Sequence, residues 1–260
     1  MPELPDVEMF ARQIRDHGLK RRIDAVDLRD PKRLKGASAG KLEAALRGHA
    51  FSGVERHGKL LFAGVDGGGH LAMHFGMTGF VAFYDDPGDE PAHARLVLRF
   101  DDGGHFAFDD QRRIGWLALV DDVAGWLREQ ELGPDALDVD LAALRRLFEG
   151  KRGMVKPALM DQQAIAGIGN VYSDEILFQA GIRPDRKVAE LDDAAVEAIH
   201  QQMRAVLRAA ADHDADPEKM PEDWLTPHRG SDDPCPRCGG SLEAPKISGR
   251  TAWLCPRCQH

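Results

Sequence analysis

Two Cys-x2-Cys pairs near the end of the chain constrain its fold more than any other feature. Cys235 and Cys238 form the first pair, sixteen residues follow, and Cys255 and Cys258 form the second. This spacing is typical of a zinc site made by four thiolates, in which each pair turns both sulfurs toward one ion. Two local disulfides or free thiols are the alternative interpretation. Because four protein ligands fill the coordination sphere, the predicted zinc ion stabilises the tail and does not catalyse.

The residues between the two pairs predict a two-stranded hairpin beside the zinc ion. Gly239 and Gly240 follow the first pair, where a zinc knuckle needs backbone angles that favour glycine. Arg250 is expected near the tip of this hairpin. An arginine at that place either contacts a partner or is an ordinary solvated side chain, and the spacing alone does not decide between the two.

Length and composition indicate a globular protein of one large domain or two ordinary ones. The chain has 260 residues, 43% of them apolar and 30% charged, which is enough for a sizeable core. No apolar run approaches the roughly 20 residues that span a bilayer, and the first residues lack the basic and apolar segments of a secretory signal. We therefore expect no membrane association and a cytoplasmic location. The clustered cysteines do not resemble a dispersed disulfide framework, which agrees with that location.

The net charge of −9 argues, taken alone, against nucleic acid as a partner. The charge is unevenly distributed, however. Residues 212–223 carry six acids against one lysine, whereas residues 235–260 carry four basic side chains against one acid. An acidic body with a basic working face remains compatible with DNA binding.

Hydrophobic patterning divides the chain into three parts. Apolar runs separated by Gly-, Asp- and Pro-rich turns predict strands at 59–66, 70–77, 80–84, 94–100, 105–110 and 116–120. Helical spacing predicts helices at 6–18, 40–49, 141–150, 154–163, 171–181 and 193–211. The strand spacing favours an antiparallel sandwich or barrel over a parallel sheet.

These segments predict an α+β multidomain protein. An N-terminal antiparallel β-sandwich flanked by helices is expected over residues 1–133, and a helical domain over residues 134–228. A C-terminal zinc-finger β-hairpin follows over residues 229–260. The Pro- and charge-rich stretch 216–234 is interpreted as a connector.

The opening Pro-Glu-Leu-Pro-Asp-Val-Glu combines a proline with three acids. Pro2 becomes the N-terminus if Met1 is removed, and the small residue at position 2 favours removal. Glu3, Asp6 and Glu8 follow within six positions. One interpretation is a helix N-terminus, where proline and acids are both favourable. The other is that the nitrogen of Pro2 itself carries out chemistry.

The stretch Gly-Ile-Gly-Asn, which ends at Asn170, immediately precedes a predicted helix. Gly167 and Gly169 let the backbone approach a ligand closely and leave N–H groups at the start of the helix. Phosphate is a natural ligand for such groups. Capping of the helix by the Asn170 side chain is the alternative.

In these features the whole chain resembles the formamidopyrimidine-DNA glycosylase and endonuclease VIII family of base-excision repair enzymes. The opening PELPDVE, then RHGKLLF, HFGMTG, DDQRRIG, GIGN and the cysteine pairs occur in the order of that family. The opening PELP, rather than the PEGP typical of endonuclease VIII, favours the formamidopyrimidine branch. The resemblance implies that the helical domain is a helix-two-turn-helix domain and that the hairpin is a zinc finger.

The resemblance implies a catalytic role for the N-terminus. Pro2 is the expected nucleophile, because an α-amino group has a pKa of roughly 8 and is partly neutral at physiological pH. It attacks C1′ of the damaged nucleotide, and the iminium that follows promotes β- and δ-elimination. Glu3 matches the carboxylate that moves protons during opening of the sugar ring. Asp6 stands where many relatives have Glu, and Lys59 matches a hairpin lysine that bonds phosphates beside the lesion; an ordinary surface lysine is the alternative.

The resemblance also implies a DNA-binding surface. The residues that match phosphate-contacting positions are His74, Lys156, Asn170 and Arg250. Glu175 matches an acid near the active site. Met77, Arg112 and Ile114 match the side chains that fill the gap left by an extruded base. Ordinary sandwich core is the alternative for Met77 and Ile114, and Ile114 occupies the place where the formamidopyrimidine branch usually has Phe.

The resemblance finally implies partners and a substrate range. We expect a monomer that binds damaged double-stranded DNA, one structural Zn²⁺ and no organic cofactor. The connector shows no match to the loop that covers a flipped 8-oxoguanine, so ring-opened formamidopyrimidines or oxidised pyrimidines are the expected substrates. The alternatives are endonuclease VIII-like specificity for oxidised pyrimidines, a damaged-DNA-binding protein that does not cut, and a zinc-ribbon interaction protein.

Overall fold

A computed structural model describes residues 1–230 and 233–260 and divides into two compact units. The first unit contains Met1–Pro2 and Asp6–Glu131, and the second contains Glu3–Pro5 and Leu132–His260. The three residues after Pro2 therefore belong with the C-terminal half of the chain. The three-part division at 133/134 and 228/229 stays a prediction.

Two sheets form the first unit. Their strands are β1 (Ile23–Leu28), β2 (Leu34–Lys35), β3 (Phe51–His57), β4 (Leu60–Val65), β5 (His70–His74), β6 (Phe80–Tyr84), β7 (Ala94–Phe100), β8 (His105–Asp109) and β9 (Trp116–Val120). One sheet has the order β1-β7-β8-β6 and the other β2-β9-β5-β4-β3. All neighbouring strands are antiparallel except β2 and β9, which pair in parallel over two residues. The structure is thus a sandwich rather than a barrel.

The six predicted strands are all present, but β1, β2 and β3 were not predicted. β1 reads Ile-Asp-Ala-Val-Asp-Leu and only its first residue is buried, so its apolar pattern is weak. β3 contains glycine and charged residues and is buried only at Phe51. β1 is a strand because it pairs with β7, and β3 because it pairs with β4. The composition of neither segment indicates a strand.

Three helices accompany the sandwich: α1 (Leu4–His17), α2 (Ala39–Leu46) and α3 (Val123–Glu129). Val7, Phe10 and Ile14 of α1 recur at helical spacing and pack in the core between the sheets. The predicted helices at 6–18 and 40–49 correspond to α1 and α2. Helix α3 was missed, and none of its residues is buried.

The second unit is helical and ends in a short hairpin. Its elements are α4 (Leu141–Phe148), α5 (Val155–Leu159), α6 (Asn170–Gln179), α7 (Asp193–Asp212), β10 (Lys246–Ile247) and β11 (Arg250–Thr251). The prediction of a helix over 154–163 was too long. The chain turns after Met160, where the Asp161 carbonyl accepts the amides of Ala164 and Ile165, and the side chain of Gln162 bonds three backbone groups.

The described part of the connector is packed against the second unit. Met220 and Trp224 are buried in the helical core, and Leu225 packs with Phe178 beside two cysteines. Ser231 and Asp232, within the predicted connector, lie outside the described residues. No helix among the described residues is long and apolar enough to cross a lipid bilayer.

Candidate active site and DNA-binding surface

The carboxylate of Glu3 caps the start of helix α6 in the second unit. Its Oε2 accepts the amides of Gly169 at 2.7 Å and Tyr172 at 3.2 Å, and its Oε1 accepts the amide of Val171 at 2.8 Å. A Cβ at position 169 would lie 2.3 Å from the Glu3 carboxyl carbon, so any larger residue there would displace the carboxylate. The side chain is 1% exposed. An anion at a helix N-terminus is favoured by the helix dipole.

This contact corrects two expectations about the Gly-Ile-Gly-Asn turn. Three of the amides expected to face phosphate bind Glu3 instead. Asn170 does not cap α6, because Gly169 occupies the cap position and the carboxylate comes from Glu3. The side-chain oxygen of Asn170 is buried and accepts no hydrogen bond from any described residue.

The same contact fixes the residue that follows Pro2. Besides the Glu3 carboxylate, the amide of Leu4 donates to the carbonyl of Gly167 at 3.0 Å. Pro2 precedes helix α1 by two residues and is half-buried. Asp6 lies in the first turn of α1, as expected of an acid near a helix start. The carboxylate of Glu3 instead accepts the amides at the start of α6. The catalytic roles of Pro2, Glu3 and Asp6 remain predictions.

A buried carboxylate that the sequence did not reveal joins four segments of the second unit. Asp174 on α6 forms one ion pair with Lys156 on α5 and a second, at 2.9 Å, with Arg229 of the connector. The amide of Trp253, in the zinc-finger segment, also faces it. Burial raises the pKa of Asp174, and the two cations oppose that shift.

Lys156 is enclosed by this network. Its ammonium pairs with Asp174 and donates to the carbonyl of Asn170 at 3.3 Å, and the residue is 1% exposed. Burial lowers the pKa of Lys156, against the effect of Asp174. Two of the three N–H donors of its ammonium are used in this network, and a direct phosphate contact by Lys156 stays a prediction.

We expect Asp174→Asn to destabilise the protein by about 3 kcal/mol, because it leaves Lys156 and Arg229 without a buried counter-charge. Loss of the Lys156 proton limits the cost. Asp193→Asn is the matched control, since Asp193 is 90% exposed and its pair with Arg145 is worth less than about 1 kcal/mol. Urea unfolding of the three proteins measures both changes. Equal midpoints for Asp174→Asn and Asp193→Asn would contradict the network.

Glu175 holds the connector onto helix α6. Its carboxylate accepts the amide and hydroxyl of Thr226, both at 2.7 Å, and the amide of Leu225 at 3.2 Å. Gln179 donates to the same group at 2.8 Å. Burial raises the pKa of Glu175, and these hydrogen bonds oppose the shift. The predicted place of Glu175 near an active site is untested, whereas its contact with the connector is direct.

The four cysteines lie together as a zinc site requires. Their sulfurs all fall within 4.8 Å of one another, with Cys235–Cys258 at 3.8 Å and Cys238–Cys255 at 3.6 Å. Tetrahedral Zn–S bonds place sulfurs roughly 3.8 Å apart, so the set fits one Zn²⁺. The Gly240 amide lowers the pKa of Cys238 to about 7, which favours the thiolate form.

The backbone around this site follows the prediction in part. Gly239 has φ 67, as a zinc knuckle needs, but Gly240 has no positive φ. The hairpin turns at Ser248 and Gly249, and Arg250 follows at the start of β11, as expected. Arg250 is exposed and lines a cleft of about 200 Å³ together with Lys156, Pro157, Met160, Asp161, Ile247 and Ser248.

In the first unit, Lys59 and His74 lie in and beside the β3–β4 hairpin. Lys59 follows Gly58, whose φ of 56 suits a tight two-residue turn. Burial and the positive charges of Lys35 and Lys59 lower the pKa of His74 to about 4. His74 is therefore neutral at physiological pH. Its Nδ1 accepts the Gly76 amide at 3.2 Å, which leaves the proton on Nε2 as a donor.

Met77, Arg112 and Ile114 are displayed on two turns that bond to each other. Met77 is 40% exposed and Ile114 42% exposed, which contradicts the alternative that they are core residues. Buried Asp110 accepts the Thr78 hydroxyl at 2.8 Å and the Gly115 amide at 2.6 Å. The Arg112 amide donates to the same hydroxyl at 3.1 Å. Neither Asp110 nor Thr78 was singled out in the sequence, although both lie within the quoted motifs.

Comparisons with known proteins agree with this architecture. Residues 1–117 match the model of the formamidopyrimidine-DNA glycosylase N-terminal domain, residues 132–220 its helix-two-turn-helix domain, and residues 232–260 a zinc finger found in these glycosylases and isoleucyl-tRNA synthetases. Relatives named formamidopyrimidine-DNA glycosylase are 36% identical in Halorhodospira halophila and 35% in Geobacter metallireducens, each over the full length of both chains.

Solved structures show the same fold. A Lactococcus lactis formamidopyrimidine-DNA glycosylase bound non-covalently to DNA with an abasic site has a TM-score of 0.90 at 25% identity and 99% coverage of both chains. The same enzyme with DNA containing FAPY-dG has a TM-score of 0.89 at 24% identity, covering 99% of this chain and 100% of that one.

A β-sandwich, a helix-two-turn-helix domain and a four-cysteine zinc finger define a class of DNA glycosylases. The chain belongs to the formamidopyrimidine-DNA glycosylase family. It is a base-excision repair glycosylase with one structural zinc, and cleavage at abasic sites is a known property of its family. The resemblance found in the sequence is therefore confirmed, as is the predicted fold class.

Proposed function

We propose that this protein removes oxidised bases from duplex DNA through a Schiff base on Pro2 and then cuts the strand by β,δ-elimination. After removal of Met1, the secondary amine of Pro2 attacks C1′ of the damaged nucleotide and the base leaves. The resulting iminium acidifies the neighbouring sugar proton, whose loss begins strand cleavage. The observation that carries this proposal is the carboxylate of Glu3. Glu3 is the residue next to Pro2, and three backbone amides hold its carboxylate in place.

Glu3 is suited to assist this reaction without moving. Its carboxylate lies one residue from the nucleophile and is oriented by the start of α6. An oriented carboxylate stabilises a cation that forms beside it and exchanges a proton with the opening sugar ring. Preorganisation by backbone amides means that little reorientation is needed during the reaction.

Damaged DNA binds, in this proposal, through hydrogen-bond donors on both units. Lys59 and the Nε2–H of His74 contact phosphates from the first unit, and Asn170 and Arg250 from the second. Support comes from the neutral, oriented imidazole of His74 and from the exposure of Arg250. Lys156, which lines the same cleft as Arg250, belongs to this surface.

The turns that carry Met77, Arg112 and Ile114 fill the gap in the base stack. Their exposure and the bonds through Asp110 suit side chains that must enter a duplex and keep their direction. The protein acts as a monomer on one lesion. Because the relatives are bacterial, we place this activity in the bacterial cytoplasm, at the nucleoid.

The lesion choice follows from the connector and Ile114. The described connector residues are fixed to the helical domain in two ways. Thr226 of the connector donates to Glu175, and Trp224 and Leu225 of the connector pack against the helices. The alignment with the Halorhodospira halophila relative spans 276 positions, more than the 260 residues of this chain, so that relative has residues missing here. In this proposal the residues missing here belong to the cover over the flipped base, and their absence favours formamidopyrimidines or oxidised pyrimidines over 8-oxoguanine.

We expect single-turnover excision of 8-oxoguanine opposite cytosine to be about tenfold slower than excision of formamidopyrimidine or oxidised pyrimidine, since one or two lost contacts cost roughly 1–3 kcal/mol each. Abasic-site cleavage should be fast, because Pro2 and Glu3 act on the sugar. A panel of single-lesion duplexes, with and without borohydride, measures rates and covalent trapping together.

The variant Ile114→Phe provides the matched comparison for this panel. A phenylalanine stacks better on a base, so it should change the preference for the opposite base and leave abasic-site cleavage nearly unchanged. Fastest release of 8-oxoguanine by the unaltered protein would show that another segment covers the base. Absence of trapping on every duplex would refute the proposed reaction.

A further inference from the structure

The first unit contains a basic cleft. None of the residues assigned above to catalysis or DNA binding lines it. It has a volume of about 360 Å³ and is lined by Arg29, Asp30, Lys32, Arg33, Arg95 and Arg113. Five of its six lining side chains are cationic, in a chain whose net charge is −9. Such a local concentration of arginine is typical of a phosphate-binding surface.

The cleft is built into the fold and is not a chance grouping of surface side chains. Arg33 Nη1 donates to the carbonyl of Arg113 at 2.6 Å, and Arg95 Nε donates to the carbonyl of Asp110 at 3.0 Å. These bonds orient the two guanidinium groups. The Nε of Arg33 is buried and has no hydrogen-bond partner among the described residues.

Most of the positive charge in the cleft is not neutralised. Arg29 is paired with Asp27 and Glu90. Asp30 lies 3.9 Å from the Arg113 guanidinium, at the limit of an ion pair. Lys32 is exposed, and no described carboxylate pairs with it. The remaining four cations therefore face a single acid.

The cleft adjoins the turn that carries Arg112 and Ile114. Arg33 and Arg95 bond the backbone of residues 110–113, the segment that the proposed function inserts opposite the extruded base. Lys59 is assigned to phosphates beside the lesion, and none of the contacts proposed for His74, Asn170 and Arg250 has been assigned to the opposite strand. We infer that this cleft binds a phosphate of the undamaged strand, beside the base opposite the lesion. This inference rests on the proposed function.

The test compares Lys32→Ala with the unaltered protein and with Lys41→Ala. Lys41 is an exposed lysine of α2, outside the cleft, so its variant makes the same change in net charge. The dissociation constant for an abasic-analogue duplex is measured over a series of salt concentrations. We expect Lys32→Ala to reduce the salt slope by about 0.9 and to weaken binding about threefold to fivefold. Lys41→Ala should do neither.

A second arm identifies the strand. Single phosphates are replaced by uncharged methylphosphonates, one at a time, in either strand of the same duplex. The effect of Lys32→Ala should disappear for one substitution in the undamaged strand. Equal slopes for the two lysine variants, or disappearance only for a substitution in the lesion strand, would overturn the inference. Failure of the unaltered protein to prefer lesion DNA would instead contradict the proposed function, so the two failures are distinguishable.

Discussion

Protein that begins at Pro2 is expected to form a borohydride-trapped complex with abasic-site DNA, whereas protein that retains Met1 is not. With Met1 present, the nitrogen of Pro2 is a tertiary amide with no free electron pair for attack. Loss of the nucleophile should reduce strand cleavage by about 10⁴-fold or more. Intact-mass measurement of each preparation establishes the state of its N-terminus before the trapping assay.

The control for this comparison is DNA binding in the absence of borohydride. Retention of Met1 leaves the phosphate-binding residues unchanged, so both preparations should bind the abasic-analogue duplex. A preparation that retains Met1 quantitatively and still cleaves at the full rate would exclude Pro2 as the nucleophile.

Loss of zinc is expected to weaken DNA binding by about a hundredfold while the body of the protein still unfolds cooperatively. Structural zinc sites contribute about 10–16 kcal/mol to the folding of small fingers. Here Cys235 and Cys255 are packed with Phe178 and Leu225, so the ion also holds the hairpin against α6. Without it, Arg250 loses its position and its phosphate contact.

Cys238→Ser is the variant that tests this dependence. Cys238 is exposed, so the substitution removes a zinc ligand without itself deleting a buried side chain. Arg250→Ala, with zinc retained, measures the phosphate contact alone. Metal content, dissociation constant and melting curve are determined for both. A metal-free Cys238→Ser protein with an unaltered dissociation constant would rule out a role for zinc in DNA binding.

Local features of the structure were predictable because their signal lies in adjacent residues. The four cysteine ligands follow from spacing within one hairpin. The strands β4 to β9 follow from runs of apolar residues between turn-forming residues. Strands β1 and β3 have half-exposed faces with charged residues, and only their partners in the sheets define them.

The features that depend on distant pairing were not predictable in this way. Glu3 and Gly169 are 166 positions apart, and nothing near either residue indicates that one caps the helix begun by the other. Asp174 and Glu175 are consecutive acids on a helix that is buried on every side, so no polar face marks them. Their partners, Lys156, Arg229 and Thr226, come from other segments.

The assignment of Pro2 as the nucleophile is tested most directly by locating the covalent bond in the trapped complex. After borohydride reduction, the protein is digested and the peptide that carries the DNA remnant is sequenced by mass spectrometry. We predict a single modified peptide that begins at Pro2, with the added mass on its N-terminal nitrogen. A remnant on the side chain of a lysine, such as Lys59 or Lys156, would contradict that assignment.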